Sequence, residues 1–299
     1  TITPASGVEQ DFSSPVIYTV TSEDGIVTTK YTVSVSGQIR DFGFDEWETI
    51  KSSTSGSTEQ YDVPKGLYGT SNPGIMTINE MFGSNLPELF SYTVSPVEGQ
   101  SGKAAKLQTV YTYMFLNGMD FNALLGGLVP YVTAGSLFTG IFKTDMNNTL
   151  NSTKFGVPFV GEPATFTGYY KYTPGTTYYN NKNEVVADKT DECSIYAVLY
   201  EELLDEENNN IPLNGDYNDP DLYIGSSKRI VMKAVLEDGT AKSDWTKFSI
   251  PFKLLEGKSY DATKKYYLAI VCSSSAEGDY FMGAPGSTLF IDSFTVTPQ

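Results

Sequence analysis

Along most of this chain apolar and polar residues alternate with a period of two, the pattern of β-strands with one face buried. It is clearest over residues 268–296. There Leu268, Ile270 and Cys272 alternate with Tyr267, Ala269 and Val271, so one set can face a core. Leu289, Ile291 and Phe294 continue the pattern over residues 288–296, with the carboxylate of Asp292 set among them. Residues 273–286 between these strands are rich in Ser and Gly and read as a loop. That loop also holds Asp279, Tyr280 and Phe281, where simple turn residues would suffice. The expectation is a strand pair joined by a long ordered loop that carries function.

The best central strand is residues 193–202, with Cys193, Ile195, Ala197 and Leu199 on one face and Tyr196, Val198 and Tyr200 on the other. Further strands are expected over 42–47, 102–115, 137–143, 155–163, 166–173, 229–236 and 244–252. Residues 79–89 read as a short helix or an irregular loop, 174–188 as a polar hairpin, and 205–221 as an acidic, Asn-rich loop. About ten strands with almost no helical periodicity predict an all-β protein, a β-sandwich of jelly-roll topology. Residues 1–36 read as a separate unit. Val16, Tyr18 and Val20 form one strand and Tyr31, Val33 and Val35 another, around a turn at Ser22-Glu23-Asp24-Gly25. Such a hairpin is too small to stand alone. The composition changes at Gly37, which divides the chain into 1–36 and 37–299.

Length and charge narrow the function. The 299 residues suffice for one large β domain with a small neighbour. The net charge of −16 argues against nucleic acid as a partner, since phosphates would be repelled. The chain has no histidine, which removes the Ser-His-Asp triad and the usual zinc ligand. Acid–base work would fall to Asp, Glu or Tyr. Cys193 and Cys272 lie in apolar strands and read as buried thiols in preference to a disulfide. The apolar run at 123–142 is interrupted by Gly and Pro and does not read as a membrane span.

Two resemblances follow from longer strings. SPVIYTVTSEDG and KYTVSV resemble the last strands of the bacterial Ig-like modules of Bacteroidetes surface lipoproteins. LFTGIF, TKFGVPF, GYYKYTPG, CSIYAVLYEE, DWTKFSIPF and above all GDYFMGAPGSTLFID resemble the putative carbohydrate metabolism domain family, PCMD, of the same bacteria. That resemblance covers residues 38–299. It implies a jelly roll similar to carbohydrate-binding modules, on lipoproteins at the cell surface or in the periplasm. The lipid anchor, the only membrane attachment expected, would precede this chain. Members are labelled putative glycoside hydrolases, and the family supplies no catalytic residues to carry over. The acidic stretch 208–221 looks particular to this chain.

Sugar binding needs an aromatic platform with polar groups at its edge, and Tyr170, Tyr172, Trp245, Tyr280 and Asp279 are its candidates. Glycoside hydrolysis needs two facing carboxylates, for which Glu201, Asp279 and Glu162 are available. A structural calcium ion needs clustered oxygen ligands. Asp216, Asn218 and Asp221 offer one set; Asp45 or Glu46 with Asp292 offers another, where the terminal strands of a jelly roll meet. No other cofactor is called for. The reading is a carbohydrate-binding protein without catalysis of its own, taking oligo- or polysaccharide and working beside other glycan-utilisation proteins. The alternatives are a glycoside hydrolase with a carboxylate pair, or a structural or adhesive module.

Overall fold

The computed structural model describes residues 1–5, 7–8, 10, 16–33 and 40–299. The expected boundary at 36–37 lies outside the described residues, as does Val35. Near the N-terminus, Ile2–Thr3, Val16–Thr21 and Thr28–Val33 form a three-stranded antiparallel sheet, the predicted hairpin with its extra strand.

The rest is a β-sandwich, as the alternation requires. In the first sheet the order is Thr153–Phe155, Ser136–Phe142, Tyr266–Ser273, Ser194–Glu201, Ile230–Val235 and Lys253–Leu254. The second runs Lys242–Pro251, Pro163–Thr173, Thr288–Pro298, Lys103–Gln108 and Val94–Glu98. Between them lies the main core. Ile195, Ala197, Leu199, Leu268, Ile270 and Cys272 come from the first sheet, and Phe166, Phe248, Leu289, Ile291, Phe294 and Val296 from the second. Edge-to-face rings tighten it, with Phe166 and Phe294 centroids 5.1 Å apart at 83°. Cys193 and Cys272 are free and buried.

Four expectations are corrected. Tyr266–Ser273 and Thr288–Pro298 are not a pair; they belong to opposite sheets, and the loop between them crosses the end of the sandwich. The single strand expected over 102–115 stops at Gln108, because the Thr109 hydroxyl turns inward to bond Ser274 and Ser275, each at 2.7 Å. The helix near residue 79 is Asn72–Phe82 and starts earlier than its sequence suggests. Pro73 suits the first helical turn, and Asn72 pins the start by accepting from Thr93 and Val94 amides at 3.0 and 2.9 Å. The first strand is Arg40–Phe42, which pairs with Thr288–Pro298, so Asp45 and Glu46 fall in the connection after it.

Gly140 marks where Ser136–Phe142 changes partners, from Tyr266–Ser273 to Thr153–Phe155. Its φ is 131°, and a Cβ there would meet the Lys154 carbonyl oxygen at 2.1 Å. Gly140→Ala is therefore expected to cost about 2–4 kcal/mol. Thermal denaturation should show it; a midpoint unchanged from the parent would contradict the tight crossing.

The outer face of the first sheet is also apolar. Val198, Tyr200, Ala269 and Val271 are covered there by Leu213 and Ile224, from the acidic loop that follows the central strand. Arg229 holds that loop down, donating to Glu201 and Ile211 carbonyls at 2.9 and 2.6 Å. None of the helices among the described residues is long and apolar enough to cross a membrane.

Candidate functional site

Beside that cover, the outer face of the first sheet opens into a cleft of about 250 Å³. Its floor is Ser136, Phe138, Ser194, Tyr196, Val271 and Ser273. These side chains point away from the core because they alternate with Leu137, Ile195 and Cys272, which point into it. One wall is the helix Asn72–Phe82, through Thr77, Ile78 and Met81. Another is the acidic loop, through Gly215, Tyr223 and Ile224. The loop after Tyr266–Ser273 closes the mouth with Ala276, Asp279 and Phe281.

Buried hydrogen bonds hold this last loop in place. Asp191, 1% exposed, accepts at Oδ2 from Ser275 Oγ at 2.6 Å, Ser287 Oγ at 2.7 Å and the Ala284 amide at 2.8 Å. Its Oδ1 accepts from the Glu192 amide at 3.0 Å. Burial pushes the Asp191 carboxyl above the usual range, and the four donors pull against that. Ser274 Oγ receives the Gly135 amide at 2.9 Å, and the Ser274 carbonyl receives the Tyr172 hydroxyl at 3.1 Å. The short 3₁₀ turn Gly278–Tyr280 is presented from this platform.

Asp279 sits on that turn, open to solvent on one side. Its Oδ2 accepts from the Tyr223 hydroxyl at 2.5 Å. Displacement of water by the surrounding walls raises its carboxyl above the ordinary range, against the Tyr223 bond that lowers it. Burial, then the charge of Asp279, push the Tyr196 phenol up, so it remains a neutral donor. Next to Asp279, Tyr280 is 38% exposed and stacks on Tyr217, with centroids 4.9 Å apart at 23°. Asp279 lines the mouth, the stacked Tyr217 and Tyr280 rings stand next to it outside the cleft, and the floor carries Phe138 and Val271.

The predicted sugar-binding residues divide. Asp279 lines the cleft, and Tyr280 stands beside it, stacked on Tyr217. Tyr170 and Tyr172 do not: both are in the main core, 2% and 1% exposed, their hydroxyls bonded to the Asp238 and Ser274 carbonyls. The strand Pro163–Thr173 belongs to the second sheet, so proximity in sequence to other tyrosines was no guide to the site. Trp245 lies on the second sheet's outer face, with Lys171 Nζ 4.8 Å from its ring centroid. Tyr217, Tyr223 and Tyr196 were missed; Tyr217 lies in the acidic, Asn-rich loop and Tyr223 just after it.

The predicted carboxylate set also separates. Glu201 closes the strand Ser194–Glu201 at the end away from the cleft, roughly 23 Å from Ser194 at strand rise. There it pairs with Lys264 at 2.8 Å. Glu162 binds the C-terminal Gln299. The calcium candidates are engaged locally. Asp216 accepts from Asn148 at 2.7 Å and Asn218 at 3.0 Å, which ties the acidic loop to residues 145–152. The Asp221 carbonyl accepts from Ser227. Asp292 accepts from the Gln100 and Ser101 amides at 2.7 and 3.0 Å, Asp45 from the Lys103 amide at 3.0 Å, and Glu46 pairs with Lys65 at 3.3 Å. Among the described residues no group of three or more acids, cysteines or histidines converges as metal ligands do.

The family model described as putative carbohydrate metabolism domain, PCMD, matches residues 43–297. The chain belongs to the PCMD family. The model for the N-terminal part of SGBP matches residues 1–35. Two solved structures resemble this PCMD chain. A putative glycoside hydrolase from Bacteroides thetaiotaomicron VPI-5482 is 33% identical, with a TM-score of 0.68, over 100% of this chain and 83% of that one. A putative glycoside hydrolase from Bacteroides vulgatus ATCC 8482 is 26% identical, with a TM-score of 0.63, over 87% of this chain and 98% of that one. A search of curated proteins found no match. The PCMD model covers the whole of the sandwich from the connection after Arg40–Phe42 into Thr288–Pro298.

Proposed function

We propose that this PCMD protein binds a glycan at the mouth of the cleft and does not cleave it. The observation that carries this reading is that, among the described residues, Asp279 is the only carboxylate lining the cleft. The usual retaining and inverting routes of hydrolysis use two carboxyl groups, about 5 to 10 Å apart across the bond. The neighbouring Glu277 is held by Tyr178 and Lys189 and does not line the cleft. The Tyr217–Tyr280 stack offers a flat apolar surface to the C–H face of a pyranose, and Asp279 accepts from its hydroxyls. Binding of this kind draws on no cofactor. The match of residues 1–35 to a glycan-binding SGBP family supports a place at the cell surface or in the periplasm, beside other glycan-utilisation proteins.

A second reading has its own support. The relatives named putative glycoside hydrolases and the raised carboxyl of Asp279 both suit a general acid. A glycan array probed with the purified chain tests the binding reading. The parent is expected to retain at least one neutral glycan, and Tyr280→Ala to lose it. Retention of that glycan by both proteins alike would place binding elsewhere.

A further inference from the structure

The second sheet turns a different face to solvent, opposite to the core. Register sets Lys171 beside Phe290 and Phe290 beside Lys106, across three neighbouring strands. Tyr169 lies beside Lys247 on the edge strand. The ammonium of Lys171 is 4.8 Å from the Trp245 ring centroid and 4.9 Å from that of Phe290. The rings are half-buried, so part of each remains open.

Lys106, Lys171 and Lys247 gather on this face from strands of one sheet. The chain carries −16 overall, yet none of the ion pairs among the described residues includes Lys106, Lys171 or Lys247. Lys106 has only the side-chain oxygen of Gln108, at 3.2 Å. The acids of this face do not neutralise them. Asp292 is buried, and its Oδ2 is taken by the Gln100 and Ser101 amides. Asp41 stands further along the sheet, opposite Thr295.

We propose that the outer face of the second sheet is a separate binding surface for an anionic glycan, one bearing uronate carboxylates or sulfate esters. The half-buried rings of Trp245, Phe290 and Tyr169 offer apolar surface to sugar C–H groups. The ammonium groups form charge-assisted hydrogen bonds with the acid groups. Lys106 and Lys171 stand two strands apart, about 10 Å between Cα atoms, so one extended chain can touch both. Lys171 is held between two rings and gives up little rotamer freedom on binding. The negative charge elsewhere does not cancel this, because exposed charges are screened beyond about 8 Å at physiological ionic strength. A nucleic acid would meet the same lysines, but it also brings a long run of phosphates against an acidic protein.

The test uses the full chain with polygalacturonate, its fully methyl-esterified form, chondroitin sulfate and a single-stranded oligothymidylate, by calorimetric titration. At least one of the two anionic glycans is expected to bind, and more weakly as salt is raised. Where polygalacturonate binds, esterification should weaken it by about tenfold or more, since it keeps the backbone and removes the charge. Lys106→Ala with Lys171→Ala should weaken the bound glycan about tenfold while the melting temperature falls by no more than about 4 °C. Asp279→Ala should leave this binding untouched, which separates it from the cleft. The proposal is overturned if neither anionic glycan binds or if the double variant binds like the parent. It is equally overturned if esterified and free polygalacturonate bind alike, or if oligothymidylate binds as tightly as the glycans.

Discussion

Asp191→Ala is expected to lower the melting temperature by about 6–12 °C, from a loss of about 3 kcal/mol at roughly 2–4 °C per kcal/mol in a protein of this size. The side chain is 1% exposed and satisfies Ser275, Ser287 and the Ala284 amide at one oxygen, and the Glu192 amide at the other. Alanine leaves the Ala284 amide and the Ser287 hydroxyl without their acceptor, which costs more than the relief of a desolvated charge returns. The pH dependence has a definite sign. Burial raises the folded-state pKa above its unfolded value, so the folded state holds the proton more tightly. The stability contributed by that proton is fully present below the unfolded pKa and is lost as pH rises through the raised folded one. Relative to the parent, Asp191→Asn should remove that decline. Scanning calorimetry across acidic and neutral pH checks both statements. An Asp191→Ala midpoint within about 2 °C of the parent would mean that the loop is held by something else.

The second large effect is on binding. Tyr280→Ala and Tyr217→Ala each remove half of the stacked pair, and Asp279→Ala removes the carboxylate beside it. Each is expected to weaken the cleft's glycan by about 1–3 kcal/mol, or roughly 5- to 150-fold, without unfolding the domain. Binding should also fall on acidification. Asp279 accepts hydroxyls as a carboxylate, so its contribution is present above its folded pKa and disappears as pH drops through it. Because that pKa is raised, the loss should come at a higher pH than for an ordinary aspartate. Asp279→Asn should flatten the profile. Titration calorimetry of parent and variants from acidic to neutral pH supplies the comparison; a parent profile that is flat throughout would remove Asp279 from the contact.

Much of the framework was legible because strand alternation is a local property. Ile195, Ala197 and Leu199 were assigned to one face of their strand and Val198 and Tyr200 to the other, and the two sets fill separate clusters. The loop carrying Asp279 and Tyr280 was also legible, since a carboxylate and a ring are unusual where Ser and Gly make the turn. Global pairing was not. Alternation says that 266–273 and 288–298 are strands, but not that a buried aspartate eighty residues earlier holds the connection between two sheets. Three tyrosines within four positions gave no sign that Tyr170 and Tyr172 fill the core while Tyr169 faces outward, because tyrosine satisfies its hydroxyl in either setting. The acidic stretch 205–221 read as solvated. Ile211, Leu213 and Tyr217 alone hinted that it folds back on the sheet, and scattered apolar residues in a loop carry no period.

The claim that the cleft holds a glycan without cleaving it is tested most directly by one incubation. The purified chain is held with the glycan its array selects, at a concentration that saturates binding, and released reducing ends are counted over a day beside an Asp279→Asn control. The account predicts intact glycan with parent and variant alike, while the parent still binds. Reducing ends that accumulate with the parent and not with Asp279→Asn would contradict it and make the cleft an active site.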